Sequence, residues 1–233
     1  MNTFHEIVTT PTFSITITLV IFSIATLLYH KTKLFFLNPV LVAVIAIIAL
    51  LKIFNIDYET YNQGGKYISF FLGPAVVALA LPLYHQRRLI KQHGLTLLIS
   101  ISSGLFAGTA TAVFIAKLGG LSQEAVISLT PKSVTTPIAI AVTQKIGGNV
   151  SMTAAFVVIA GILGAAVGPL FLKKIRIQSK TAFGAAMGTA SHGIGTARAN
   201  EEGETEGAFS GLALCLAGVI TSILLPIIIK LIF

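Results

Sequence analysis

The sequence predicts an all-α, polytopic integral membrane protein with about six full spans and two broken or re-entrant helical hairpins, arranged as an inverted repeat. Three observations predict it. Hydrophobic residues make up 55% of the chain against 10% charged, and the mean hydropathy of +0.89 lies far above that of a soluble domain. The apolar stretches run unbroken for the length of a bilayer crossing, with none of the alternation of an outer-membrane barrel. Two polar, helix-breaking segments, TPKSVTTP from Thr130 to Pro137 and GTASHGIGTAR from Gly188 to Arg198, are set inside apolar sequence. Hydrocarbon tolerates such breaks only where they are buried in protein or face a watery cavity.

The formal charge of +8 does not point to nucleic acid, because the bases cluster in short loops between apolar spans, where the positive-inside effect accounts for them. A multi-pass protein of the cell's inner or plasma membrane is expected, with the lipid bilayer as its first partner. Cys215 is the single cysteine, so no intramolecular disulfide can form. The first residues, MNTFHEIVTTPTF, lack a basic n-region and a cleavage site, so the first apolar run is expected to stay as a span. Tyr29, Tyr58, Tyr61, Tyr67 and Tyr84 fall near span ends, as interfacial aromatics do.

One membrane domain covering 1–233 is expected, in four stretches. In 1–66, a span from Phe13 to Tyr29 stops at His30, Lys31 and Lys33, and a second from Leu34 to Phe54 carries Asn38-Pro39 in its first turn, followed by a polar loop from Asn55 to Lys66. In 67–121, the span from Tyr67 to Leu83 is kinked by Gly73-Pro74. A basic loop from His85 to His93 follows, then a span from Gly94 to Ala116 whose Ser100, Ser102, Ser103, Gly104, Gly108, Thr109 and Thr111 suit close helix packing. In 122–175, a short helix capped by Ser122, the first break and a second short helix precede a Gly- and Ala-rich span from Asn149 to Lys173. Each short helix spans roughly 13 Å, half a bilayer. In 179–233 the order repeats: short helix, break, short helix, long span.

Sliding the sequence along itself sets Ala160 on Ala217, Gly161 on Gly218, Pro169 on Pro226 and Lys173 on Lys230. A shift one residue longer sets Ser133 on Ser191. Placing the basic clusters Lys31/Lys33, Arg87/Arg88/Lys91 and Lys173/Lys174/Arg176/Lys180 on one side of the membrane favours a 122–145 segment that enters and returns, the alternative being a crossing broken helix with one span fewer or more before it. A hairpin plus one span is an odd number of crossings, so the repeat is then inverted.

In the first break, Pro131 and Pro137 bracket Lys132, Ser133, Thr135 and Thr136. The start of the following helix offers free N–H groups beside a full positive charge, which suits a carboxylate. The competing reading has Lys132 snorkelling from a helix end near the surface. In the second break, Gly188, Gly193 and Gly195 permit unusual backbone angles and close approach while Thr189, Ser191, His192, Thr196 and Arg198 supply donors. His192 titrates nearest physiological pH and is the proton-coupling candidate, against the plainer role of a neutral hydrogen-bonding histidine. Arg198 can grip a carboxylate with two parallel bonds, or pair instead with Glu201 or Glu202. Glu201, Glu202, Glu204 and Glu206 read as a solvated turn in which Glu202 and Glu206, spaced i to i+4, would repel mildly. No metal-ligand spacing, phosphate-binding loop, dinucleotide fingerprint or nucleophile elbow occurs, so neither an enzyme nor a cofactor is expected.

KYISFFLGPAVVALALPLY (Lys66 to Tyr84), SLTPKSVTTPIAIAV (Ser128 to Val142) and GTASHGIGTARA (Gly188 to Ala199) resemble the signature stretches of the LrgB/CidB family of antiholin-like membrane proteins, over nearly the whole chain. The resemblance implies a role in modulating murein hydrolase activity and autolysis beside a small holin-like LrgA/CidA partner. It also implies transport, because a plant plastidic glycolate/glycerate transporter is similar to a fusion of both partners and bacterial members are linked to pyruvate. The implied substrate site comprises Lys132, Ser133, Thr135, Thr136, Pro137, Ser191, His192, Gly193, Thr196 and Arg198. The implied partners are a small carboxylate, the holin-like protein and further copies of the chain itself.

Overall fold

Apolar runs flanked by capping residues become helices in the computed structural model, which describes residues 7–32, 37–78, 80–85 and 87–232. No strand occurs among the described residues. The expectations placed on residues 1–6, on the junction at Lys33 and Leu34, and on Gln86 lie outside them. Two compact units emerge, Met1–Ala75 and Val76–Phe233.

The first unit holds α1 (Pro11–Thr32), α2 (Pro39–Ile53) and α3 (Tyr58–Phe70). Asn38 caps α2 by accepting from the Val40 and Leu41 N–H groups, and Pro39 loses nothing at a position whose N–H has no helical partner. The segment from Asn55 to Lys66, expected as a polar loop, is helical from Tyr58 onward. Asp57 caps it by accepting from the Thr60 N–H at 2.8 Å, and the Thr60 hydroxyl and N–H hold the Asp57 carboxyl below its usual range. Gly64 then lies against the Pro11 carbonyl, where a Cβ would collide, and Tyr61 Oη meets Thr18 Oγ1 at 2.7 Å. A polar helix therefore packs on α1 through a glycine contact and a hydroxyl pair, neither of which shows as apolar periodicity. α3 ends at Phe70, and α4 (Leu72–Ala78) begins one residue later with Gly73 and Pro74 in its first turn.

The second unit holds α5 (Ala80–His85), α6 (Arg87–Leu118), α7 (Gln123–Leu129), α8 (Thr136–Ile146), α9 (Val150–Lys174), α10 (Lys180–Glu202) and α11 (Glu204–Ile232). The basic stretch expected as a loop before Gly94 is helical from Arg87, because nothing in RRLIKQH breaks a helix once an apolar span follows. Among the described residues α1, α6, α9 and α11 are long and apolar enough to cross a membrane.

α7 and α8 fold back on each other. Ser122 caps α7, Gly147 ends α8 with a left-handed φ of 76°, and Asn149 caps α9. The Asn149 N–H donates to Ser128 Oγ at 2.7 Å and its amide donates to Glu124 Oε1 at 3.2 Å, so the end of α8 sits beside α7. Thr153 Oγ1 donates to the Ser128 carbonyl at 2.9 Å and fixes α9 alongside.

α10 reverses more sharply. Its helical path is interrupted only at Ser191 (φ −132°, ψ 16°) and His192 (φ 41°, ψ −134°), so the break is far shorter than the Gly188-to-Arg198 segment expected. Gly193 and Gly195 continue a helix because the two residues before them absorb the whole reversal. In a straight helix Lys180 and Glu202 would lie roughly 33 Å apart. Instead Met187 packs with Ala199, both Gly184 and Asn200 approach the first two turns of α11, and Lys173 Nζ at the end of α9 reaches Glu202 Oε2 at 2.9 Å. The two halves are therefore antiparallel and return to the end where α9 finishes. Ile101, Val134, Ala139, Val157 and Leu212 form the common core of α6, the first hairpin, α9 and α11.

Candidate functional site

A cavity of about 500 Å³ runs between α6, the first half of α10 and the tip joining α7 to α8. His93 and Thr181 stand at one end, and Lys132 and Ser133 at the other. Thr96, Ser100 and Thr189 place hydroxyls along the walls between them. His93 is fixed edge-on to Phe209, with ring centroids 5.8 Å apart. Thr96, Ser100, Gly104 and Gly108 recur every fourth residue, so one face of α6 is both small and polar where it meets the cavity.

Lys132 is half-buried, and its ammonium donates to Ser133 Oγ at 3.1 Å. No carboxylate pairs with it: the ion pairs of the described residues gather on Glu201 and Glu202. Behind it α8 starts at Thr136-Pro137 with no side-chain cap, and the hydroxyl of its N-cap Thr135 is buried without a partner. A half-buried cation, an uncapped helix N-terminus and an unused hydroxyl therefore meet at one tip, and each is favourable to an anion.

The second tip is held differently. His192 is 5% exposed, with Nε2 2.9 Å from the Val157 carbonyl, so Nε2 carries the proton in that bond. Gly161 faces the His192 ring, Gly164 faces Ser191 and Gly168 faces Met187. A Cβ at any of the three would collide, so α9 presents a glycine groove in which the hairpin lies. Ser191 Oγ is buried there without a partner. Thr196 Oγ1 donates to the His192 carbonyl at 2.9 Å and meets Ser210 Oγ at 2.9 Å. Arg198 bonds Glu202 at 2.6 Å and Glu201 at 3.4 Å, which is the ion-pair arrangement rather than an open fork.

Of the substrate-site candidates named from the sequence, Lys132 and Ser133 line the cavity, and Ser100, Gly104 and Gly108, expected only to serve helix packing, line it as well. The second hairpin contributes Thr189 and Ala190, just before its tip, rather than Ser191. Thr135, Thr136 and Pro137 stand behind the first tip, and His192, Thr196 and Arg198 face α9, α11 and the acidic turn. Gly193 is exposed, with open space around its Cα. His93, Thr96 and Thr181 were not singled out, although the four-residue spacing on α6 is a signal that finds Thr96. No group of His, Cys, Asp and Glu suited to a metal ion occurs among the described residues.

Comparison with known proteins places this geometry in a family. The model of the LrgB-like family matches residues 18–231. An uncharacterized protein, YxaC, of Bacillus subtilis is 43% identical over 202 residues, covering 87% of this chain and 88% of that protein. Proteins named antiholin-like protein LrgB, from Bacillus mycoides and Bacillus cereus, are 38% identical over 218 residues, covering 93% of this chain and 95% of theirs. No solved structure matches the chain.

Proposed function

The chain belongs to the LrgB-like family, and from that premise we propose that it is a multi-pass carrier of small carboxylates in the cell's plasma membrane, with Lys132 as the charge that holds the substrate. The single observation behind this reading is an unpaired ammonium at the inner end of a cavity of about 500 Å³. An isolated charge in that position is costly unless a counter-ion visits it, and the cavity supplies the route. Ser133, whose Oγ accepts from Lys132, keeps its proton for a carboxylate oxygen, and Ser100 and Thr189, which donate to the Thr96 and Ala185 carbonyls, leave lone pairs for the hydroxyl of a small hydroxy acid. Thr135, Thr136 and Pro137 add the positive end of the α8 dipole behind Lys132. Ser191, His192, Gly193, Thr196 and Arg198 shape and hold the second tip, with His192 the candidate for exchanging a proton with a co-transported acid.

The α7–α8 and α10 hairpins, each followed by a long helix, form an inverted repeat in this reading, within one membrane domain. Two details support it. Gly218 of α11 receives Ile138, just after the first tip, as Gly161 of α9 receives His192 and Ile194 at the second. These glycines are the ones that self-alignment of the sequence superposes.

The name carried by the Bacillus relatives, antiholin-like protein LrgB, is the ground for a second reading, a regulator that acts through a holin-like membrane partner without transport of its own. Purified protein in liposomes, offered labelled glycolate, glycerate and pyruvate, separates the two. The carrier reading expects saturable, mutually competed uptake that Lys132→Gln strongly lowers. Absence of uptake across the panel, from protein that still changes lysis together with its partner, leaves the regulatory reading.

A further inference from the structure

A second cavity, of about 200 Å³, lies beyond the first hairpin tip, lined by Phe106 and Thr109 of α6, by Thr130, and by Thr221, Leu225 and Ile229 of α11. Its position relative to the larger cavity is informative. The larger one touches α6 from His93 to Gly108 and α11 at Phe209, whereas the smaller touches α6 from Ser102 to Val113 and α11 from Ile220 to Ile229. The two follow one another along the same pair of parallel helices. From His93 to Val113 the rise of α6 is about 30 Å, the thickness of the hydrocarbon core.

The tip between α7 and α8 borders both. It shows Lys132 and Ser133 to one cavity and Thr130 to the other. A single side-chain bond ties this partition to α6: Thr109 Oγ1 to the Thr130 carbonyl, at 3.5 Å the longest in the tip. The linings differ too. The larger cavity carries the ammonium and the hydroxyls of Thr96, Ser100, Ser133, Thr181 and Thr189, while the smaller, which holds no charged group, sets Ser102, Thr109, Thr130 and Thr221 among Ala, Val, Leu, Ile and Phe side chains. A largely apolar passage excludes water when narrow and conducts when widened.

We propose that the smaller cavity is the outer half of the solute pathway, and that the Thr130–Thr135 tip, held to α6 through Thr109, is the gate that closes it off from the inner half. This inference rests on the carrier reading for its solute but not for its geometry. The structure then represents the state open toward the Lys173 end, and transport requires the tip to leave Thr109 while the Leu225 and Ile229 side chains part.

Sidedness of thiol labelling tests the pathway without any substrate. In a Cys215→Ser background, Ser100→Cys and Thr221→Cys proteins in liposomes are exposed to a membrane-impermeant methanethiosulfonate from each face in turn. Ser100→Cys is expected to react from the Lys173 face. Thr221→Cys is expected to react slowly, and only from the opposite face. Adding Thr109→Ala removes one hydrogen bond, which raises the Thr221→Cys rate about three- to tenfold. Reaction of Thr221→Cys from the Lys173 face overturns the proposal. So does reaction only with a lipid-soluble maleimide, with or without Thr109→Ala, because the small cavity is then a groove open to lipid. If labelling follows the expected pattern while no carboxylate is taken up, the pathway stands and the assigned solute class fails.

Discussion

Lys132 is the residue on which the chemistry turns. A point charge half-buried beside one hydroxyl, with no carboxylate in reach, neither stabilises the fold nor caps a helix. Removing it should therefore cost function and leave stability unchanged or improved. Lys132→Gln is expected to lower uptake about ten- to a hundredfold, the effect of losing one charge-assisted bond, with Lys132→Arg retaining part of it. Equal uptake by the Gln variant would remove Lys132 from the site. His192 presents the opposite case. It is buried, bonded to Val157 and held at a positive φ, so its first role is to fix the reversal of α10. Gln can still donate to the carbonyl but cannot titrate. If His192 exchanges the coupled proton, His192→Gln flattens the pH profile of uptake while thermal stability stays near that of the parent. A profile unchanged by the substitution limits His192 to holding the tip.

Among the elements, the α9 glycine groove and the acidic turn locate the second hairpin. Gly164→Ala places a methyl against Ser191 and is expected to cost about 1–3 kcal/mol, as overpacking does. Gly164→Ala combined with Ser191→Gly should recover most of that loss. A double variant no more stable than the single one would mean that the groove does not carry the docking. At the far end, Lys173 and Arg198 converge on Glu202 and hold its carboxyl below its usual 4.5, the Lys173 bond being the largest influence. A lowered folded value means that stability is fully present above the unfolded value and is lost as pH falls through the folded one. Glu202→Gln should thus destabilise by about 1 kcal/mol or less at neutral pH, since these side chains are 20–61% exposed, and the difference from the parent should begin to shrink as pH falls below 4.5 and vanish below the lowered folded value. A difference that persists in acid would assign the effect to packing instead of charge. The first break was legible because Pro131 and Pro137 cannot continue a helix. The second was read too wide, since its glycines suggested an open loop while two residues supply the turn. The groove that receives it stayed hidden, because Gly161, Gly164 and Gly168 look in sequence like any small-residue stripe of a membrane helix.

For the whole molecule, charge placement and hairpin geometry make one joint prediction. Arg87, Arg88 and Lys91 open α6 and Lys173, Lys174 and Arg176 close α9, next to Lys180 at the start of α10. Lys117, Lys145 and Lys230 are spread over three separate helix ends at the other side of this unit. The positive-inside effect assigns the first group to the cytoplasm. The parity that suggested inversion was visible in the sequence, because it needs only the order of charges and spans. The closeness of Glu124 to Asn149 and of Lys173 to Glu202 was not, because it depends on backbone reversals. Cysteines at the exposed positions Gln123, Lys145, Gln178 and Asn200, each in a Cys215→Ser background, report the arrangement when labelled in intact and then permeabilised cells. Gln123→Cys and Lys145→Cys are expected to react in intact cells, and Gln178→Cys and Asn200→Cys only after permeabilisation. Within each pair the faces must agree, because a hairpin returns where it entered. If Gln123→Cys and Lys145→Cys react from opposite faces, the first hairpin crosses the membrane. If all four react from one face, the hairpins enter from the same side and the repeat is not inverted.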